Sequence, residues 1–163
     1  MEGIVRAHFD HPVDRILAVL TDPEFLRRRH EADREKNVVI EVDHADGLVI
    51  RVQHDVERAM PGFMKKVFNP VNHLMDVQRW NLRGPVKTSD WTVEIRGQKR
   101  IELRGHLSLT ATAQGGCDYA EAFSATVAIP LIGGRVEKYI LGETETLIRS
   151  QVEFLRTELA RPA

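Results

Sequence analysis

Residues 134–159 read GRVEKYILGETETLIRSQVEFLRTEL, and they are the most informative part of the chain. On a helical wheel at about 100° per residue, the large apolar side chains of this stretch fall on one broad face. That face comprises Val136, Ile140, Leu141, Leu147, Ile148, Val152, Phe154, Leu155 and Leu159. Charged residues such as Arg149 and Glu153 lie outside it. The stretch therefore predicts a long amphipathic helix that packs on an apolar surface along nearly its whole length.

Upstream of this helix, apolar and polar residues alternate with a period of two, which is typical of strands covered on one side only. Ile101 and Leu103, for example, flank Glu102 in the clearest run. An Asp46-Gly47 turn between two such runs predicts a hairpin. The runs cover residues 4–9, 38–42, 48–56, 74–82, 90–96, 101–111 and 119–129. Because consecutive strands are joined by short turns, they predict an antiparallel sheet of about seven strands.

Two short helices are predicted between the first and second strands. Pro12 suits a first helical turn because its missing N–H would have no partner there, and Ile16 follows at helical spacing. Asp22 can cap a second helix that Pro23 opens. The resulting order of strand, two short helices, six strands and long helix predicts an α+β architecture, with the long C-terminal helix packed across the sheet.

The composition indicates an ordinary globular protein and excludes several function classes. The chain has 163 residues, 42% hydrophobic and 29% charged, which suits a single domain over residues 1–163. A formal net charge of -1 gives no overall attraction to nucleic acid. Cys117 is the one cysteine, which excludes an intrachain disulfide and a cysteine-based zinc site. The sequence shows neither a signal peptide nor a membrane-spanning run, so we expect a cytoplasmic protein without stable membrane insertion.

Two segments resemble a known superfamily. Residues 12–24, PVDRILAVLTDPE, resemble the opening of START-like domains, in which a strand leads into a proline-bearing helix that ends in an acidic turn. Residues 129–137, IPLIGGRVE, resemble the strand-to-helix junction of a bacterial branch known as domain-of-unknown-function family 2505. The START-like (SRPBCC) superfamily includes the birch-pollen-allergen fold, lipid-transfer domains and polyketide cyclases. The order of segments is similar over essentially the whole chain.

The resemblance implies a helix-grip fold, in which a curved antiparallel sheet and the long helix enclose an internal apolar cavity, and it carries over no catalytic residue set. Fold alone does not give function, so three hypotheses stay open. The leading one is a protein that binds or carries a small apolar molecule such as a lipid, acyl chain, quinone or polyketide, without a cofactor. The second is a cyclase- or dehydratase-like enzyme acting in the same cavity, and the third is a protein-interaction module with a filled core. The sequence identifies no protein partner.

Polar residues within the apolar face of the long helix, together with inward-facing strand positions, predict a cavity wall. Glu137, Thr144 and Gln151 lie seven residues apart near the middle of that face. A buried polar group without a partner costs about 1–3 kcal/mol, so these side chains meet either the sheet and structural water or the polar end of a ligand. The predicted ligand-cavity residues are Val52, His54, Phe63, Met64, Val67, Trp91, Val93, Leu107, Phe123, Glu137, Ile140, Thr144, Leu147 and Gln151.

Residues 60–70, MPGFMKKVFNP, place large apolar side chains where a connection is normally polar and exposed. Methionine and phenylalanine suit an adaptable apolar opening, so this segment is interpreted as a lid over the cavity. One alternative is that it plugs an end of the core. Another is a weak membrane or donor-surface contact, because Lys65 and Lys66 lie beside the apolar face.

His54 and Glu121 are the residues to test first if the protein is an enzyme. His54 lies in the apolar row of its strand, where a neutral imidazole either acts as a general base or is a satisfied core residue. Glu121 shares strand parity with Phe123, and burial would raise the pKa of its carboxyl. Nothing in the sequence places Glu121 near His54. No spacing of histidines and carboxylates indicates a metal site, and none is predicted.

Two interpretations stay open for each of two further features, a pair of tryptophans and a pair of glycines. Trp80 and Trp91 serve either core packing or ligand contact, and the strand around Trp80 has no clear inward face. Gly133-Gly134 either lets the chain turn sharply against the last strand or exposes free N–H groups to an anion.

Overall fold

The computed structural model describes residues 1–162, in which seven strands form one antiparallel sheet. The strands are β1 (Glu2–Phe9), β2 (Lys36–Asp43), β3 (Leu48–Glu57), β4 (Val71–Asn81), β5 (Lys87–Ile95), β6 (Ile101–Ala111) and β7 (Cys117–Val127). Their order across the sheet is β1-β7-β6-β5-β4-β3-β2, so β1 and β2 form the edges. β1 joins the sheet beside β7, with Gly3 opposite Phe123. The predicted seven-stranded antiparallel sheet is confirmed.

Three α-helices accompany the sheet within residues 1–162: α1 (Val13–Leu20), α2 (Pro23–Ala32) and α3 (Gly133–Leu159). The carboxylate of Asp22 accepts a hydrogen bond from the Glu24 N–H at 3.1 Å, and Pro23 occupies the first turn of α2 as predicted. Pro12 differs from the prediction, because its extended backbone makes it the N-cap of α1 rather than part of the first turn. α3 begins one residue before its predicted start.

α3 packs mainly against β1 and β7. Its buried apolar side chains are Val136, Leu141, Ile148, Val152, Leu155 and Leu159. Burying one side chain of this size contributes about 1.5–3 kcal/mol, so this face anchors the helix. Gly133 permits the close approach at its start, since a Cβ there would lie 2.6 Å from the carbonyl oxygen of Val127. This packing favours the sharp-turn interpretation of the glycine pair.

α2 holds the other end of α3. The rings of Phe25 and Phe154 pack with centroids 5.5 Å apart. Arg28 donates two hydrogen bonds, each of 3.0 Å, to the carboxylate of Glu158. Because α3 is held on β1, β7 and α2, it does not cover the inner faces of β3 to β6 at close range. The curved sheet therefore leaves a space between these strands and the helix.

Candidate ligand-binding cavity

This space is a cavity of about 260 Å³. Its walls come from the inner faces of β3 to β7, from α2 and α3, and from the connection between β3 and β4. Apolar residues of its wall include Val56, Leu74, Ile95, Leu103 and Leu155. A mostly apolar concave surface with a few convergent polar groups is the usual form of a small-molecule site.

Nine of the fourteen residues predicted for the cavity lie on its wall. They are His54, Met64, Trp91, Val93, Leu107, Ile140, Thr144, Leu147 and Gln151. The hydroxyl of Thr144 donates back to the carbonyl of Ile140 at 2.7 Å, which satisfies it within α3. Ligand contact by these nine residues stays a prediction.

The other five predicted residues lie away from the cavity wall. Val52 is enclosed in the core, and the ring of Phe123 covers Gly3 on the neighbouring strand. The carboxylate of Glu137 accepts a hydrogen bond from the Val127 N–H at 2.9 Å, so this residue bonds to the sheet. Phe63 and Val67 are half-buried against the cluster around Val127 and Val136. Both therefore pack against the start of α3 rather than face the cavity.

The connection between β3 and β4 contributes to the wall through other side chains. A 3₁₀ turn over Met64–Lys66 buries Met64 completely, and Met60 and Phe68 reach the cavity with it. Phe63 packs edge-on against Tyr139 of α3, with the guanidinium of Arg135 3.9 Å from its ring centroid. These contacts fasten the segment to α3.

Four titratable side chains meet at the polar part of the cavity: His30, Glu35, His54 and Asp76. Nδ1 of His54 lies 2.7 Å from Oε2 of Glu35, and Nε2 of His54 lies 3.0 Å from Oδ1 of Asp76. Neither contact has the alignment of a hydrogen bond. His30 also contacts Oε2 of Glu35 through its Nδ1. One carboxylate oxygen therefore faces the Nδ1 atoms of both histidines.

The end of α2 brings Glu35 into this cluster. The N–H of Arg34 bonds to the Glu31 carbonyl at 3.0 Å, and the N–H of Glu35 bonds to the His30 carbonyl at 3.1 Å. This pair of bonds is the Schellman helix ending, and it requires a left-handed residue, here Arg34 with φ of 62°. The reversal of the chain points the Glu35 side chain back towards α2 and into the protein.

Opposing effects set the charges of this cluster. Burial alone would lower the pKa of His54, but its contacts with Asp76 and Glu35 outweigh burial and raise the pKa to about 10. Burial alone would raise the pKa of Glu35, but His30 and His54 lower it to about 2. Arg58 adds a positive charge 3.8 Å from Glu35. His54 is therefore a cation between two carboxylates.

A second polar pair, Tyr119 and Glu121 of β7, also lines the cavity. Glu121 is buried and accepts a hydrogen bond from the hydroxyl of Tyr119. Burial raises the pKa of Glu121, while Tyr119, Arg29 and Trp91 act in the other direction. The indole N–H of Trp91 does not reach hydrogen-bond geometry with any partner in residues 1–162. His54 and Glu121 thus line one cavity but form no ion pair with each other within that part of the chain.

Sequence reasoning missed three members of the cluster. His30 follows Leu26 by four residues on the buried face of α2, which is a signal that was available. Asp76 has the strand parity of Leu74 and Trp80, but the outward neighbours Met75 and Val77 are half-buried as well. Glu35 lies in the turn after α2, where no periodicity indicates burial.

Solved structures similar to this chain share its fold at low sequence identity. The Zhui aromatase/cyclase from Streptomyces sp. R1128 has a TM-score of 0.64 and 12% identity, over 97% of this chain and 92% of that one. A START superfamily protein from Mycobacterium smegmatis has a TM-score of 0.61 and 13% identity, over 98% of this chain and 99% of that one. A conserved protein from Geobacillus kaustophilus has a TM-score of 0.63 and 17% identity, over 98% of this chain and 95% of that one. At these identities the likeness shows the fold alone.

The comparison with curated proteins found no match. Within residues 1–162, none of the helices is long and apolar enough to cross a membrane. Residues 5–159 match the family described as "Protein of unknown function (DUF2505)". The match spans nearly the whole chain and agrees with the resemblance at the junction before α3. The protein therefore belongs to the DUF2505 family and has the START-like fold.

Proposed function

We propose that this protein binds a small, largely apolar molecule with one polar group in the cavity between α3 and the sheet. The observation that carries the proposal is a space of about 260 Å³ with an apolar wall and a buried ionic cluster. Ligand pockets typically measure about 300–1,000 Å³, so this one favours a compact molecule over a lipid with two long chains. The START superfamily and aromatase/cyclase neighbours support a ligand-binding fold without naming the ligand.

The polar part of the cavity supports a ligand with a hydrogen-bonding or anionic group. His54 is cationic there, and the guanidinium Nε of Arg29 is buried without a hydrogen-bond partner in residues 1–162. A ligand carbonyl, hydroxyl or carboxylate can accept from Nε of Arg29, which removes the cost of leaving this donor unpaired, and the charge of His54 favours an electron-rich group nearby. The apolar walls from β4, β5 and β6 then receive the rest of the molecule.

A cyclase- or dehydratase-like enzyme is the second candidate. The specific observation in its favour is that His54 and Glu121 both line the cavity. An imidazolium and a carboxyl group with a raised pKa can donate and accept protons at a substrate bound in this cavity. A cyclase would convert a bound poly-β-ketone to an isomer of the same mass with a different absorption spectrum, a dehydratase would also lower its mass by one water, and Glu121→Gln would slow either change. The interaction-module hypothesis requires a filled core, which fits this open space poorly.

Native mass spectrometry of the purified protein tests the binding proposal first. We expect a copurifying adduct of a few hundred daltons, or a rise in melting temperature with a compact fatty acid, quinone or aromatic polyketide. Leu147→Trp places an indole in the cavity from α3, whereas Ser150→Trp places one on the exposed side of the same helix. Binding should weaken at least about tenfold, roughly 1.4 kcal/mol, in the first variant only. Equal binding by both variants would contradict the proposed location.

A further inference from the structure

Three donor atoms converge beside the cavity in a pattern typical of a metal site. His30, His54 and Asp76 each offer one ligand atom, and these atoms all lie within 4.8 Å of one another. Nε2 of His54 and Oδ1 of Asp76 are 3.0 Å apart, about the separation of two neighbouring ligands on one ion. The side chains come from α2, β3 and β4, so the tertiary fold holds them together.

The orientation of the two imidazoles adds a second, independent observation. Oε2 of Glu35 contacts Nδ1 of His30 and lies 2.7 Å from Nδ1 of His54. A carboxylate that accepts from one ring nitrogen leaves the other nitrogen free to bind a metal, and this support is usual for histidine ligands. Glu35 supports His30 in this way, and its Oε2 lies close enough to Nδ1 of His54 to hold that ring by charge. Nε2 of His54 lies 3.0 Å from Oδ1 of Asp76, and Nε2 of His30 is the ring nitrogen that Glu35 leaves free.

The third observation is that the converging atoms are buried and unpaired. His30 and His54 are only 3% and 4% exposed. Nε2 of each histidine and Oδ1 of Asp76 have no hydrogen-bond partner within residues 1–162. An ion pair between His54 and Asp76 would give Nε2 of His54 and Oδ1 of Asp76 a partner, but it would leave Nε2 of His30 without one. A cation at the centre satisfies all three, and the charges of Glu35 and Asp76 offset its charge.

We propose that this protein binds a divalent transition-metal ion through Nε2 of His30, Nε2 of His54 and Oδ1 of Asp76, with Glu35 orienting both imidazoles. Two imidazoles and one carboxylate suit Zn²⁺, Co²⁺, Ni²⁺ or Fe²⁺, whereas Ca²⁺ prefers oxygen ligands alone. Three protein ligands leave at least one coordination position open, and here it faces the cavity. His54 gives up a proton when the ion binds, because metal ligands are deprotonated. The site does not depend on an organic ligand in the cavity.

Cobalt titration of the tag-free protein, stripped with EDTA, tests this site. We expect one equivalent of Co²⁺ to give visible d–d absorption that Zn²⁺ displaces and Ca²⁺ does not. At saturating Zn²⁺ the melting temperature should rise roughly 5–10 °C, reversibly with EDTA. His30→Gln keeps a polar side chain of similar length and should weaken Co²⁺ binding at least about 100-fold. Glu35→Gln should weaken it about 10–100-fold, the usual effect of losing an orienting partner.

His106→Ala is the matched control, because His106 is an exposed histidine whose Nδ1 lies 2.7 Å from Asp90. It should leave Co²⁺ affinity and absorption unchanged. The wild-type titration tests the site even if a variant fails to fold. Absence of both the absorption and the EDTA-reversible rise in melting temperature would overturn the proposal. Equal loss of binding in His106→Ala and His30→Gln, or none in His30→Gln, would overturn the assignment of these ligands.

Discussion

The backbone N–H of Glu35 donates to the carbonyl of His30 at 3.1 Å, and the carboxylate of Glu35 contacts the imidazole of the same residue. The ending of α2 thus brings His30 and Glu35, two of the four members of the polar cluster, into contact through local geometry alone. β3 and β4 supply the other half through His54 and Asp76. Small changes in the turn after α2 should therefore affect both stability and the cluster.

Arg34 has a left-handed backbone, which costs an ordinary residue roughly 1–2 kcal/mol and glycine almost nothing. We expect Arg34→Gly to be more stable than Arg34→Val by at least about 1 kcal/mol, because branching at Cβ worsens the strain. Chemical denaturation of the two variants measures this difference. Glu31, an exposed residue within α2, is the control. There the glycine variant should be the less stable of the pair, and the same order at both positions would contradict the strain argument.

Gly133 and Gly134 should respond to alanine in opposite directions. A Cβ at Gly133 would lie 2.6 Å from the carbonyl oxygen of Val127, so Gly133→Ala should destabilise the protein by about 1–3 kcal/mol. Gly134 has nothing within 4 Å of that position and lies in a helix, so Gly134→Ala should stabilise it by up to about 1 kcal/mol. Thermal unfolding of both variants measures the direction of each change in stability. A loss of stability in Gly134→Ala would show that this glycine has a role beyond packing.

Glu121 should make stability depend on pH. Burial raises the pKa of its carboxyl above the usual value of 4.5, although Tyr119, Arg29 and Trp91 face it. The contribution of this carboxyl to stability is therefore full below pH 4.5 and is lost as pH rises through its folded pKa. Glu121→Gln should be more stable than the wild type at pH 7, by roughly 2–4 °C in melting temperature for about 1 kcal/mol. The difference should vanish near pH 4.

The control for this pH dependence is Glu145→Gln, which changes an exposed carboxylate 3.6 Å from Arg149 on α3. Surface ion pairs of this kind contribute little, so its melting temperature should stay close to that of the wild type at both pH values. A Glu121→Gln variant that is less stable than the wild type at pH 7 would mean that the ionised carboxylate is well compensated inside the protein.

Trp91 lies directly over Gly105 in the cavity wall. A Cβ at Gly105 would lie 2.2 Å from ring atoms of the indole, so Gly105→Ala must displace Trp91. We expect a loss of about 1–3 kcal/mol in unfolding free energy and weaker binding of any cavity ligand. Denaturant unfolding and ligand titration measure the two effects. Gly62→Ala, at an exposed position with open space around it, should change neither.

The architecture followed from local pattern because strands and helices bury one face each. In β6, Leu107 and Leu109 are buried while Thr110 is exposed, so the period of two identified the strand. α3 likewise buries the stripe that contains Val136 and Ile148. Both periods depend only on which side of an element meets water. The resemblance at the junction before α3 then identified the family.

The alternation of apolar and polar residues predicted the buried face less clearly wherever both faces of a strand are partly covered. In β4, Met75 and Val77 are half-buried on one face, and Asp76 and Gln78 are half-buried on the other. The sequence therefore left the inward face of β4 open, and with it the positions of Asp76 and Trp80. The hydrogen-bonded register with β3 settles both, because it sets Leu74 opposite His54 and Trp80 opposite Leu48.

The sequence by itself determined the element order, the curved sheet, the long amphipathic helix and the presence of His54 in an apolar row. Only the tertiary structure decided which polar groups meet there. His54 and Asp76 lie on β3 and β4, and no spacing along the chain relates them to the His30–Glu35 pair at the end of α2. The period of the apolar residues shows only which face of a single helix or strand is buried. Contact between elements depends on strand register, helix termination and the curvature of the sheet, which arise only when the whole chain packs.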